Sequence, residues 1–246
     1  MKRAIIIGAT SGIGQEVAKI LLKEGWKIGI AGRRESALES LQRTAPEQTE
    51  IQVLDVTQED AAEKLRILID RLGGMDLFLL SSGVGFQNMN LREDIELNTV
   101  RTNVEGFTRV VDAAFSYFKE QGSGHLAVIS SIAGTKGLGV APAYSATKRF
   151  QNTYIDALEQ LAYMQKLAIH FTDIRPGFVA TDLLNDGKRY PMLMKTDKVA
   201  SAIVRALKRR KRIAVIDTRY RILVFFWRMI PRWVWKRIPV KTPGKT

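Results

Sequence analysis

The chain has 246 residues, 46% of them hydrophobic, which suits one large α/β domain without a second core. It contains no cysteine, which excludes disulfides and thiolate metal sites, and it has only two histidines, His125 and His170. The formal net charge is +13, of which +12 falls in residues 208–246, where thirteen Lys or Arg meet one acid, Asp217.

Met1-Lys2-Arg3 passes directly into the apolar run Ala4-Ile5-Ile6-Ile7, so no secretory signal peptide is expected. That run reads as a strand over 2–7, buried on both faces. It leads into Gly8-Ala9-Thr10-Ser11-Gly12-Ile13-Gly14, after which 12–24 has helical spacing with Val17, Ile20 and Leu21 on one side. Strand, glycine turn and helix in that order form a phosphate-binding element. The glycines let the backbone approach a pyrophosphate, and the helix start presents free N–H groups and a positive dipole end. An ordinary glycine turn is the plainer reading, which three glycines spaced G-x-x-x-G-x-G in this context oppose.

Further strands are expected at 26–31, 50–54, 75–80, 124–130, 167–174 and 212–216, and helices at 34–44, 58–72, within 90–120, 142–164 and 196–209. No internal repeat is visible. The alternation predicts an α/β fold: a doubly wound parallel sheet of about seven strands in a single domain, with ligands at the carboxyl ends of the strands. Gly8, Ser131 and Pro176 each follow a strand and so converge on that edge. Both histidines sit at strand edges without a cluster around them and read as structural. Pro142 suits the first turn of the 142–164 helix, where its missing N–H costs nothing.

That helix carries Tyr144-Ser145-Ala146-Thr147-Lys148. A spacing of four places the phenol and the ammonium on one face, a turn apart. A free tyrosine, with a pKa of about 10, is a poor acid at neutral pH. A neighbouring cation is expected to lower that value, making a proton donor for a carbonyl oxygen.

Taken together, these motifs resemble the short-chain dehydrogenase/reductase family from Met1 to about Ile216. Gly8-x-x-x-Gly12-x-Gly14 has the family's glycine spacing, and Tyr144 with Lys148 matches its catalytic pair. Ser131, thirteen residues before Tyr144, matches its catalytic serine. Asn103-Val104-Glu105-Gly106 matches its Asn-x-x-Gly, and Pro176-Gly177-Phe178-Val179-Ala180-Thr181 its nicotinamide-lining Pro-Gly segment. Two departures stand out. The family's Asn-Asn-Ala-Gly is Ser81-Ser82-Gly83-Val84-Gly85, with fewer donors near the cofactor, and the residue before the first glycine is Ile7 in place of threonine.

The resemblance implies a Rossmann-type catalytic domain over 1–216, followed by a basic, aromatic-rich segment at 217–246. It implies Tyr144 as acid/base, assisted by Ser131, Lys148 and Asn103, with Ser131 on the developing oxyanion and Asn103 holding a water that links Lys148 to solvent. Cofactor contacts are expected from Gly8, Thr10, Ser11, Gly12, Ile13, Gly14, Arg33, Arg34, Asp55, Val56, Ser82, Gly83, Tyr144, Lys148, Pro176, Gly177, Val179 and Thr181. An acid ending the second strand would accept from the adenosine ribose hydroxyls and select NAD. Here Gly32 stands in that place, followed by Arg33 and Arg34, whose guanidinium groups suit a 2′-phosphate and favour NADP. The reaction is hydride transfer between nicotinamide and a carbonyl or secondary alcohol. Leu183 to Met194, the expected substrate lid, together with Phe86 and Leu138, suggests an apolar or lipid-like substrate. A homodimer or homotetramer follows from the same resemblance, and a catalytically silent cofactor-binding scaffold is the alternative function.

The segment 217–246 mixes Tyr220, the run Ile222–Trp227, Trp233 and Trp235 with Arg219, Arg221, Arg228, Arg232, Lys236 and Arg237. The apolar run is far short of the roughly 20 residues of a spanning helix, and Pro231 divides it. Aromatics among cations suit a membrane surface. Packing on a partner subunit or over the substrate pocket is the competing reading, and no nucleic-acid motif is present. The expected location is cytoplasmic, or peripheral on the inner face of a membrane.

Overall fold

The computed structural model describes residues 2–184 and 190–240. Its elements alternate: β1 (Arg3–Ile7), α1 (Gly12–Lys23), β2 (Lys27–Gly32), α2 (Glu35–Gln42), β3 (Thr49–Val53), α3 (Ala61–Leu72), β4 (Leu77–Leu80) and α4 (Glu93–Val100). A π-helical stretch, Arg101–Gly106, joins α4 to α5 (Phe107–Gln121). There follow β5 (Ser123–Ile129), α6 (Pro142–Met164), β6 (Ala168–Arg175), α7 (Thr196–Lys208), β7 (Ile213–Val215), α8 (Thr218–Met229) and α9 (Arg232–Trp235).

The seven strands form one parallel sheet in the order β3-β2-β1-β4-β5-β6-β7. The order reverses between β1 and β4, the point at which sheets of this kind take ligands at the carboxyl ends of the strands. Alternate residues of β1 serve opposite layers. Ala4 and Ile6 face Val17 and Leu21 of α1 and Ile203 of α7. Ile5 and Ile7 face Leu65 and Leu68 of α3, Val110 of α5 and Ile155 of α6. A strand covered on both faces needs apolar residues at every position, which is why these runs are continuous.

The expected strands and helices are all present, with ends shifted by a few residues. The long helix within 90–120 begins at Glu93 and is interrupted by the π-helical turns. Residues after 216 form α8 and α9, with Pro231 as the N-cap of α9. Tyr220 and Val224 of α8 are buried in the same core as α1 and α7. No helix among the described residues is long and apolar enough to cross a membrane. The expected lid lies partly outside the described residues, at 185–189, as does the end of the basic segment, at 241–246.

Candidate active site

The glycine turn between β1 and α1 is built by close approach. Gly8 has φ +90°, and a Cβ on it would lie 2.5 Å from the Ser82 nitrogen. A Cβ on Gly14 would lie 2.3 Å from the Gly8 oxygen, so neither position admits a larger residue. Ser11 starts α1 without a side-chain cap, and no acid stands in its first turn. The positive end of that helix therefore keeps its capacity for an anion. Ile13 follows at the helix start, and Thr181 reaches the same turn, with its Cγ2 set 3.2 Å from where a Gly12 Cβ would be.

At the end of β2, a Cβ on Gly32 would meet Thr10 Cγ2 at 2.6 Å. Thr10 thus occupies the space an acidic side chain would need. Arg33 and Arg34 are both exposed beyond it. The Arg34 guanidinium donates to the Thr10 carbonyl at 3.2 Å and lies 3.9 Å from Asp182. Asp55, after β3, accepts from the backbone and hydroxyl of Thr57 through one oxygen, at 3.0 and 2.8 Å. Val56 is buried against Gly106, and its carbonyl accepts from Arg109.

The second half of the site gathers around the start of α6. Lys148 is buried one turn after Tyr144, with its Nζ 5.8 Å from the phenol ring centre. Lys148 donates to the Ile129 carbonyl at 3.2 Å and to Gln151 Oε1 at 3.0 Å. Gln151 in turn donates to the Asn103 carbonyl at 2.9 Å. Asn103 and Lys148 are therefore linked through the side chain of Gln151. Asn103 uses its side chain to clasp the loop after β4, accepting from the Val84 nitrogen at 2.9 Å and donating to the Val84 carbonyl at 2.7 Å. Gly83 sits against Asn103 and Lys148, and a Cβ on Gly85 would meet the Tyr144 ring at 2.6 Å. Gly85 is thus small because the phenol packs on it.

Ser131 follows β5, and its hydroxyl accepts from the Ala133 nitrogen at 3.1 Å. Beneath it lies a buried polar network. Asp173 pairs with Arg175 at 2.6 Å, accepts from Asn152 at 2.9 Å and accepts from the Ser130 hydroxyl. The network fastens the ends of β5 and β6 to α6 and so fixes the height of Ser131 relative to Tyr144. Pro176 follows, its carbonyl accepting from the Ile132 nitrogen at 3.1 Å. Val179 pairs with Met194 in an isolated bridge, and Gly177 lies under the Tyr220 ring, 2.2 Å from where its Cβ would be.

Burial governs the electrostatics. Lys148 is pushed down to about 8 by its removal from water, which Asp173 partly offsets. Burial also raises the Tyr144 phenol, opposed by its hydrogen bond with Ser131. This differs from the expectation of a phenol lowered by its lysine neighbour, because burial is the larger influence on Tyr144. His125 is held at about 4, first by burial and then by His170 and Arg210, while its ring bonds Thr172. Both histidines lie away from this cluster, in paired register on β5 and β6.

Gln151, Asn152, Asp173 and Arg175 escaped the reading of the sequence. A signal existed for the first two: they stand three and four residues after Lys148, on the face it shares. Among the described residues no group of His, Cys, Asp and Glu could hold a metal ion.

Residues 2–189 match the family described as short chain dehydrogenase. An uncharacterized oxidoreductase of Myxococcus xanthus (strain DK1622) is 34% identical over 202 residues, covering 79% of each chain. A second, from Staphylococcus aureus (strain N315), is 30% identical over 223 residues, 87% of this chain and 94% of the relative. Among solved structures, an alcohol dehydrogenase from Thermococcus sibiricus complexed with 5-hydroxy-NADP has a TM-score of 0.77 at 23% identity, over 88% of this chain and 95% of that one. A 3-ketoacyl-(acyl-carrier-protein) reductase from Brucella melitensis complexed with NADH has a TM-score of 0.77 at 23% identity, over 88% and 96%. These two show the same fold.

Proposed function

The chain belongs to the short-chain dehydrogenase family and is an NAD(P)-dependent oxidoreductase, and we propose that it uses NADP(H) to interconvert an apolar ketone or aldehyde and its alcohol. The observation that carries the reading is the gathering of Tyr144, Ser131, Lys148 and Asn103 at the strand edge that also bears the glycine turn. The residues fit a dinucleotide: Gly8 and Gly14 let the turn pack backbone on backbone ahead of α1, whose start carries neither a side-chain cap nor an acid in its first turn.

In the reductive direction the Tyr144 hydroxyl gives its proton to the carbonyl oxygen, and Ser131 donates to that oxygen as charge develops on it. The nicotinamide, when bound, supplies the hydride to the carbonyl carbon. Lys148 has three N–H donors, two of them spent on Ile129 and Gln151, and the third is assigned to the nicotinamide ribose. Asn103 holds the Val84 loop and, through Gln151, steadies Lys148. Burial raises the phenol and so keeps it protonated at neutral pH, the form that donates to a carbonyl oxygen.

Ser11, Gly12, Ile13, Ser82 and Gly83 are assigned to the pyrophosphate and ribose side, and Asp55 with Val56 to the adenine. Pro176, Gly177, Val179 and Thr181 are assigned to the carboxamide. Gly32, filled from behind by Thr10 and followed by two exposed arginines, supports NADP over NAD. Phe86, exposed and next to the Gly85 on which the Tyr144 ring packs, supports an apolar substrate. We further assign a homodimer or homotetramer and a cytoplasmic enzyme whose segment 217–246 meets the inner face of a membrane.

The test is NADPH and NADH oxidation with a panel of ketones and aldehydes. Parent protein should turn over with NADPH preferred, and Arg33→Ala with Arg34→Ala should erode that preference. Tyr144→Phe should lose about 10²–10⁴-fold in turnover while NADPH affinity holds. Equal use of both cofactors by the parent, or Tyr144→Phe activity within tenfold, defeats the respective assignment.

A further inference from the structure

We propose that α8 and the basic groove beside it dock on an anionic phospholipid bilayer, and that the neighbouring cleft draws its carbonyl substrate from that bilayer. The second half rests on the reductase reading above; the first does not.

The inner face of α8 is fixed. Tyr220 and Val224 are buried, and the Tyr220 hydroxyl accepts from the Phe178 nitrogen at 3.1 Å and donates to the Pro191 carbonyl at 3.0 Å. Beyond α8, Lys136 donates to the Ile230 carbonyl at 2.7 Å, and the Trp235 indole donates to the Gly137 carbonyl at 2.8 Å. The helix is therefore presented as a rigid element and needs no partner to form.

Its outer face is apolar. Ile222, Phe225, Phe226 and Met229 are 55%, 61%, 54% and 57% exposed. Their spacing of i, i+3, i+4 and i+7 makes one stripe, on the side of the helix opposite Tyr220 and Val224. Trp233, 63% exposed, extends it past Pro231. Single exposed apolar residues are ordinary, but a contiguous stripe of this kind marks an interaction surface.

Charge selects the occupant. Next to the stripe runs a groove of about 590 Å³, lined among others by Lys195, Lys198, Arg205, Arg209, Lys211 and Arg221. None of these six is ion-paired with a carboxylate among the described residues, and Asp217 on the same wall is held by Arg219. Arg221 borders both groove and stripe, since it stands four residues before Phe225. A second copy of this chain would bring another strongly basic segment against the first, which like-charge repulsion opposes. An anionic bilayer satisfies both parts: the rings enter the headgroup boundary while the guanidinium and ammonium groups meet phosphate. Twelve helical residues span about 18 Å, too short to cross the bilayer and suited to lie in its surface.

The docking face is tied to the cleft. Lys136 and Gly137 lie in the loop that follows Ser131, and Phe178, Pro191 and Met192 lie on the opposite wall. The tail holds both walls, so a bilayer against its outer face lies beside the cleft. An apolar carbonyl compound dissolved in the lipid can then enter without crossing water. There it takes the hydride from NADPH and a proton from Tyr144, leaving NADP+ and the alcohol.

The experiment is co-sedimentation of full-length protein with phosphatidylglycerol-containing vesicles and with pure phosphatidylcholine vesicles, at low and high salt. The parent should pellet with the anionic vesicles and weaken with salt without full release, because an apolar contribution survives screening. Phe225→Ser with Phe226→Ser, and separately Arg205→Glu with Arg209→Glu, should each lower partitioning at least tenfold while circular dichroism stays unchanged. Parent protein that remains in the supernatant with anionic vesicles at low salt overturns the proposal, as do phenylalanine variants that bind like the parent. Loss of a dimer by the phenylalanine pair in size-exclusion chromatography assigns the stripe to a second copy instead. An RNA probe bound with no vesicle binding assigns the groove to nucleic acid.

For the second half, kcat/KM is measured for a long-chain ketone and a water-soluble ketone, each with anionic vesicles. The ratio should favour the long-chain ketone in the parent and fall in the phenylalanine pair; an unchanged ratio overturns delivery from the bilayer. Tyr144→Phe should bind vesicles like the parent, so a failure of the reductase reading leaves docking intact and visible.

Discussion

Lys148 offers a measurement that needs no substrate. Replacing it by methionine, Lys148→Met, keeps the chain length and removes the charge. Lys148 is 4% exposed, and burial holds its ammonium at about 8, down from 10.5. Between those two values the unfolded chain binds more protons than the folded one, so this group's contribution to stability rises with pH across that window. At neutral pH the parent carries the cost of a buried ammonium, and at high pH most of that cost is gone. Linkage with these two values makes the stability of Lys148→Met relative to the parent fall by about 2–3 kcal/mol between pH 7 and pH 10. The hydrogen bonds lost at Ile129 and Gln151 shift both measurements by a similar amount, about 1–3 kcal/mol, and so cancel in the difference. Urea unfolding followed by tryptophan fluorescence at the two pH values reads it directly. A relative stability that is the same at both, within about 0.5 kcal/mol, refutes the depressed lysine.

Three further outcomes follow from the geometry. Because burial raises Tyr144, carbonyl reduction should hold its rate across neutral pH while alcohol oxidation keeps climbing on the alkaline side; an oxidation profile already level at neutral pH contradicts this. Gly32→Asp alone should lose NADPH affinity without gaining NADH, because its Cβ meets Thr10 at 2.6 Å, and adding Thr10→Ala should restore NADH binding in titrations of nucleotide fluorescence. Gly177→Ala should cost about 1–3 kcal/mol in urea unfolding, since its Cβ would sit 2.2 Å from a Tyr220 ring that two hydrogen bonds hold in place.

The sheet was legible because its central strands are buried on both faces, so runs such as Ala4–Ile7 and Leu77–Leu80 stand out from their surroundings. Tyr144 and Lys148 were legible because helical spacing alone puts them on one face. The residues behind them were not. Gln151 and Asn152 are polar at positions that read equally well as solvated, and only packing against Asn103 and Asp173 turns them inward. Asp173 and Arg175 sit in a strand whose partners are fixed by register, which sequence spacing does not reveal. The two faces of α8 were indistinct for another reason: apolar residues occupy both, so no amphipathic pattern separates Tyr220 from Phe225. The rise of the Tyr144 phenol was missed because it depends on burial, which spacing along the helix does not reveal.

The π-helical stretch at Arg101–Gly106 amounts to one residue more than an α-helix of the same span would hold. Removing a single residue there would let α4 and α5 join as a plain helix with their faces still in phase. Thr99 would remain inward and Phe107 would keep its place against Phe150 and Tyr154. Asn103 would rotate off the Val84 loop and withdraw the carbonyl that Gln151 reaches. A one-codon deletion could therefore part this protein from its chemistry while leaving its architecture whole, so the helix wears its function as a removable insertion.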